Sequence, residues 1–400
     1  MKPSKSHRLR HVLQYEDLWW SYYQKHKDSL RSVEVDSIIK MLACGTPDMG
    51  GRTYRCSCPD CPHVKHIAFS CKSRSCPSCG NKATAQWVNF QLGVLPQTRW
   101  QHITFTIPCE FWPLFQANRW MLAALSKLAA EVCMDRCRQY GLTPGIFTAL
   151  HTHGRALGWH PHIHLSITLG GITDDGQWED LSLGKKSLES GWRLRIIRFL
   201  RQQYGNYHFP PALQSSGQTY KRWNKYLNLQ YQRFWHVYLV KPTDNAQHTV
   251  NYLSRYLKRP VVSYSRLQHY SRQEVIYSYN SHTTHKREIL RLPGEEFVRR
   301  FLMHIPDKYF RVIRYYGFLA NRVRKQLLPK VYQAIQKTPK QFNSPVTHAS
   351  LLQRFVNIDP LQCLLCKSPL LLQYISYGLN LAGLRQHHAQ LATMRPCRLR

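Results

Sequence analysis

"HPHIHLSIT", residues 160–168, sets three histidines at alternate positions and then passes into a β-branched, apolar run. Successive side chains of an extended strand point to opposite faces, so His160, His162 and His164 share one face, with Pro161 and Ile163 on the other. Two imidazoles about 6.6 to 7 Å apart along one face can converge on a metal ion between them. A lone histidine on a strand is usually a packed core or surface residue, so the pattern draws its weight from its surroundings. Upstream, "LHTHGRALGWHPHIH" reads as a hairpin that brings His151 and His153 beside the pair. A Mg²⁺ or Mn²⁺ ion held by imidazoles with few protein oxygens keeps positions open for water and phosphate, as phosphoryl transfer requires. A zinc hydrolase would use similar ligands, and a nucleophile elsewhere must decide.

Working outward, "WQHITFTIP", "FTALHTHGR", "HIHLSITLG" and "FWHVYLVKP" read as strands, and "RWMLAALSKLAAEVCMDRCRQYG" as a helix ending at Gly141. Strands mixed with helices predict an α+β fold around a central antiparallel sheet with flanking helices. Three regions follow: residues 1–98, a small zinc-binding domain; 99–320, the sheet domain; and 321–400, a basic C-terminal region that includes the helical "NRVRKQLLPKVYQAIQK". Within the second, residues 171–230 read as a basic helical insertion, opening with the turn signals of "GGITDDGQ" and offering DNA-facing helices in "WRLRIIRFLRQQYG" and "YKRWNKYLNLQYQRF".

Lys and Arg number 56 against 22 Asp and Glu, a formal charge of +34 in 400 residues. Such self-repulsion points to a polyanionic partner, and 23 Tyr and 11 Trp suit base stacking as well as core packing. A 43% hydrophobic content excludes a disordered chain. The N-terminus lacks an apolar signal segment and no stretch reaches the roughly 18 uncharged apolar residues of a membrane span. The expected location is the cytoplasm.

Of thirteen cysteines, seven lie within residues 1–98, and in a reducing compartment clustered cysteines indicate metal before disulfides. "CSCPDC" and "CPSC" give Cys58 and Cys61, then Cys76 and Cys79, two CxxC knuckles with fourteen residues between them. Four thiolates suit a tetrahedral Zn²⁺ and leave no position for water, so this zinc would be structural. Cys44, Cys56, Cys71, His63 and His66 are enough to complete a second site or replace a member of the first. Cys363 and Cys366 form half a site, which His387, His388 or Cys397 could complete. Cys133 and Cys137, four apart in an apolar helix, read as core.

"NYLSRYLKRP", residues 251–260, follows the capping residues Thr243 and Asp244 and stops at Pro260, a helix from about 244 to 258. Tyr252 and Tyr256, i and i+4, then present both phenols on one face about 5 to 6 Å apart, with Arg255 and Lys258 or Arg259 near enough to hold a phosphate and favour the phenolate. Tyrosines on a basic helix are commonly amphipathic packing. Beside a histidine strand in so basic a chain they read as nucleophiles, attacking phosphorus in line to leave a 5′-phosphotyrosine bond and a free 3′-hydroxyl.

With these residues in view, the sequence resembles the two-tyrosine rolling-circle transposases of bacterial insertion sequences, members of the HUH endonuclease superfamily. "HIH" matches the histidine-hydrophobe-histidine motif, "YLSRY" the two-tyrosine motif and "SCKSRSCPSC" the N-terminal zinc domain; "CGTPDMGG", "WQHITFTIP" and "IRYYGFLANR" extend the likeness over most of residues 33–325. The resemblance implies that His162 and His164 are metal ligands, Tyr252 and Tyr256 nucleophiles, and the substrate single-stranded DNA at an element's ends. Relatives take a third ligand from another element; the choice here is His153, with His248 as its rival. Either Cys56 or Cys58 is the zinc ligand of its segment. The sequence has no GxxxxGK[ST] loop, so strand separation falls to a host helicase or replication machinery. The alternatives are a plasmid rolling-circle replication initiator or relaxase, and a non-catalytic zinc-containing DNA-binding regulator.

Overall fold

The computed structural model describes residues 8–244, 261–281, 284–339, 347, 353 and 359–394. Chain order begins with three helices, α1 (Arg8–Gln14), α2 (Leu18–His26) and α3 (Ser32–Ala43), then strands β1 (Gly50–Cys56) and β2 (Val64–Ala68) and helix α4 (Pro77–Val94). Strand β3 (Trp100–Thr106), the short α5 (Trp112–Ala117) and α6 (Leu122–Arg138) lead to the hairpin β4 (Gly145–His153) and β5 (Trp159–Thr168). Helix α6 buries Leu122, Leu125, Ala129 and Cys133, a stripe at helical spacing, and closes at Gly141, whose φ of 68° suits a residue without Cβ. Cys133 and Cys137 are core, as their spacing predicts.

The sheet that carries the histidines has five antiparallel strands in the order β12-β4-β5-β3-β8, where β8 is Val237–Leu239 and β12 is Ile313–Gly317. Alternation along β5 sends Ile163, Leu165 and Ile167 into one core with Ile103, Phe105 and Ile146. The opposite face carries His162 and His164. Farther along that face, α4 covers the sheet through Trp87, which packs with Trp100, Phe147 and Phe318.

Residues 171–230, expected as a DNA-facing insertion, share this core. Helix α7 (Lys185–Gln202) buries Leu188, Trp192, Ile196, Ile197 and Leu200, and Trp192 Nε1 donates to the Thr106 carbonyl of β3 at 2.7 Å. The helix Tyr220–Leu229 seats Trp223 and Leu227 against the same cluster. Arg198 and Arg222 are exposed, whereas Arg195 pairs with Glu131 and Asp135 of α6; the amphipathic pattern that reads as basic also supplies an apolar stripe.

Nor is the N-terminal region closed on itself. Helices α1 to α3 form one core with β9 (Leu267–Tyr270), β10 (Glu274–Asn280), the helix Gly294–Met303 and the C-terminal Leu384 and Leu391. Trp19 Nε1 donates to His388 Nε2 at 2.7 Å, and Gln14 Nε2 donates to the Leu391 carbonyl at 2.8 Å. Strand β13 (Leu370–Tyr377) completes a sheet β13-β1-β2, pairing Cys56 with Leu370 and Gly50 with Tyr377. Among the described residues no helix is long and apolar enough to cross a membrane.

Candidate active site

Strand register builds the histidine centre. His164 of β5 lies opposite Thr104 of β3 and Ala149 of β4, while His162 lies opposite His151. One ring nitrogen from each of His151, His162 and His164 falls within 4.8 Å of the others. His162 Nε2 and His164 Nε2 are 3.1 Å apart. That spacing matches neighbouring corners of an octahedron with metal–ligand distances of about 2.1 Å, which are roughly 3 Å apart.

Orientation is set from behind. His162 Nδ1 lies 2.8 Å from the His160 carbonyl oxygen, which can only accept, so Nδ1 carries the proton and Nε2 presents its lone pair. His164 Nδ1 lies 3.1 Å from His102 Nε2. His102 and Thr104 of β3 thus hold His164 from its Nδ1 side, 3.1 and 3.4 Å away, while its Nε2 faces that of His162. Burial drives His162 and His102 down to about 3, and burial followed by the neighbouring His151 holds His164 well below the ordinary range. The imidazoles are therefore neutral near pH 7, the state in which histidine binds metal. Neutral imidazole nitrogens that meet at 3.1 Å form a pair that a cation can bridge.

The third histidine of the group is His151, not the expected His153. A bulge between these residues shifts the register, so that His153 opposes Trp159 and not a histidine. His153 stacks on His151 with ring centroids 5.3 Å apart and faces His304 at 5.5 Å. His160 also stays outside the group; its ring packs on Trp112 at 4.7 Å. Sequence reasoning overlooked His102, although its place in "WQHITFTIP" puts it on the histidine face once β3 and β5 are paired.

A cavity opens beside the centre, lined by His151, His153, His304, Arg74, Arg119 and Val261 among others. Burial lowers both guanidinium groups to about 10, which leaves them charged at neutral pH. Arg119 lies over the Trp159 ring at 5.2 Å and donates to the Met303 and Ile305 carbonyls at 2.9 and 3.1 Å. Tyr252, Tyr256 and Lys258, with the rival ligand His248, lie outside the described residues. The described residues that flank their segment are Asp244 and Val261, and Val261 lines this cavity.

The cysteines divide differently from their spacing. Cys44, Cys71, Cys76 and Cys79 form one group, Cys56, Cys61, Cys363 and Cys366 another, each with its sulfur atoms within 4.8 Å of one another. The expected set of Cys58, Cys61, Cys76 and Cys79 is thus split, and Cys58 belongs to neither group. The physical reason lies at the end of β1: Cys61 N donates to the Cys58 carbonyl at 3.1 Å in a turn, and the sulfurs that meet are those of Cys56 and Cys61. In the first group the Cys44–Cys79, Cys71–Cys79 and Cys44–Cys76 sulfur separations are 3.7, 3.5 and 3.9 Å. A tetrahedron with zinc–sulfur bonds of about 2.3 Å has edges of about 3.8 Å, so the group fits a zinc ion.

Residues 15–107 match the family model described as "Transposase zinc-binding domain", and residues 145–326 match the model described as "Putative transposase". The transposase for insertion sequence element IS801 of Pseudomonas savastanoi pv. phaseolicola is 42% identical over 373 residues, covering 92% of this chain and 90% of that protein. A second relative, "Putative transposase y4qJ" of Sinorhizobium fredii, is 27% identical over 360 residues, covering 86% of this chain and 89% of its own. No solved structure matches the chain. A zinc-domain match and a transposase-domain match in one chain, with a relative aligned over nearly its whole length, assign it to a family: the chain belongs to the insertion-sequence transposases that carry an N-terminal transposase zinc-binding domain.

Proposed function

We propose that this transposase is a metal-dependent HUH strand transferase that cleaves and rejoins single-stranded DNA at the ends of an insertion sequence by rolling-circle transposition. The observation that carries the reading is the convergence of His151, His162 and His164, whose ring nitrogens lie within 4.8 Å of one another, with His162 Nε2 and His164 Nε2 3.1 Å apart. His162 and His164 would hold Mg²⁺ or Mn²⁺, with His151 as third ligand in place of His153. When bound, such an ion polarises a non-bridging phosphate oxygen and eases departure of the 3′-oxygen.

Half-buried Arg74 and Arg119, the latter paired with Asp307, bring cationic groups to the adjoining cavity that suit the DNA backbone. Tyr252 attacks phosphorus in line; the phosphorus–3′-oxygen bond breaks, the strand keeps a free 3′-hydroxyl, and its 5′-phosphate is held on the phenol oxygen. Tyr256 takes the next strand, and Lys258 with Arg255 steadies the phosphate. Because the energy of the cleaved bond is conserved in the phosphotyrosine, rejoining needs no ATP. Support for a tyrosine segment at this site comes from Val261, which follows it and lines the cavity beside the histidines. The net charge of +34 supports a nucleic-acid substrate. Strand separation is left to host helicase or replication proteins, and a structural Zn²⁺ sits at Cys44, Cys71, Cys76 and Cys79. The transposase relatives favour this reading over a plasmid initiator, a relaxase or a non-catalytic regulator.

The test is a denaturing-gel assay of purified protein with Mn²⁺ and a single-stranded oligonucleotide from the element's end. A covalent protein–DNA adduct is expected, lost on chelation, in a His162→Ala, His164→Ala variant and in a Tyr252→Phe, Tyr256→Phe variant. Adduct that persists in the tyrosine double variant removes the nucleophile assignment; adduct that persists in the histidine double variant removes the metal centre.

A further inference from the structure

The second cysteine group draws on the two ends of the described chain. Cys56 closes β1 and Cys61 follows it by one turn, while Cys363 and Cys366 form a knuckle immediately before β13, the strand that pairs with β1. Cys61 and Cys363 are 302 positions apart in sequence, yet their sulfurs are 3.7 Å apart, and those of Cys56 and Cys366 are 3.2 Å apart. All four lie within 4.8 Å of one another, too far for the S–S bond of about 2.05 Å and near the roughly 3.8 Å edge of a zinc–thiolate tetrahedron.

His63 Nδ1, 3.1 Å from the Cys363 sulfur, adds a further contact from outside the group. The frame is held apart from any ion, because Ser57 N donates to the Pro369 carbonyl at 3.0 Å and Lys65 Nζ to the Pro360 carbonyl at 2.8 Å. Lys367, at a φ of 64°, takes the left-handed turn that folds the knuckle back.

We propose that Cys56, Cys61, Cys363 and Cys366 bind a second zinc ion, a structural clasp that fastens the C-terminal segment to the N-terminal region. Cys363 and Cys366 lie beyond residues 15–107, the extent of the zinc-domain match, so this ion is separate from the one at Cys44, Cys71, Cys76 and Cys79. Four thiolates fill the tetrahedron and leave no position for water or substrate, so the clasp contributes to folding and not to strand cleavage.

The test measures zinc in the full-length protein and maps thiol reactivity with iodoacetamide. Two zinc ions per chain are expected, falling to one in a Cys363→Ser, Cys366→Ser variant and to one in a Cys76→Ser, Cys79→Ser variant. Cys366 is solvent-exposed, so in the unaltered protein it should react about tenfold faster after chelation than before, while exposed Cys109 reacts alike in both states. The clasp is overturned if the Cys363→Ser, Cys366→Ser variant keeps both zinc ions, if Cys366 reacts as fast as Cys109 before chelation, or if Cys56 and Cys366 are recovered as a disulfide. The footprint on the unaltered protein decides even where the variants fail to fold.

Discussion

The histidine centre and the cysteine clasp are both built from close-set ligand atoms on antiparallel strands, but their chain distances differ by more than an order of magnitude. His151 and His162 meet across one hairpin, β4 to β5, whereas Cys61 meets Cys363 across 302 positions. The first is a local product of alternation in two neighbouring strands. The second exists only when the chain has come full circle. Loss of the local site should remove chemistry and leave the fold, and loss of the distant one should loosen the fold and spare the chemistry.

Experiments can break that contrast at several strengths. The His162→Ala, His164→Ala variant should lose adduct formation by at least about a hundredfold with little change in melting temperature. The clasp variant Cys363→Ser, Cys366→Ser should lose several kcal/mol, roughly, in denaturant unfolding and expose residues 359–394 to protease, with adduct chemistry retained. Trp192→Ala, which removes a fully buried ring packed on Phe105 at 5.2 Å, should cost about 3–5 kcal/mol in denaturant unfolding; a loss below 1 kcal/mol, roughly, would show that residues 171–230 are a separable insertion. His102→Ala removes the ring nitrogen 3.1 Å from His164 Nδ1 that orients this imidazole and should weaken Mn²⁺ binding about 10- to 100-fold by calorimetry. Last, Lys25→Ala breaks an exposed pair with Glu295, and its cost should stay below about 1 kcal/mol.

The α+β architecture was legible where periodicity is local. "WQHITFTIP", "FTALHTHGR" and "HIHLSITLG" form β3, β4 and β5, and the apolar helix ends before Gly141 as its composition requires. What escaped depends on single-residue register and on distant partners. A bulge after His151 decides whether it or His153 sits opposite His162, and no pattern in "LHTHGR" marks that bulge. CxxC spacing favours Cys58 over Cys56, but the direction of each sulfur is set where β1 ends against β13, a strand more than three hundred positions away. In the basic segment 171–230, charge is the loudest signal of α7, while its buried Leu188, Trp192 and Ile196 carry the packing.

The return of β13 to β1 also bears on how the protein is made. A ribosome adding about 5–20 residues per second needs roughly 15 to 60 s to travel the 302 positions from Cys61 to Cys363. Throughout that interval the nascent N-terminal region has an unpaired sheet edge at β1 and two thiols without partners. A message cut short before the codon for Cys363 would release a polypeptide that holds the histidine hairpin yet has no means of closing the ring.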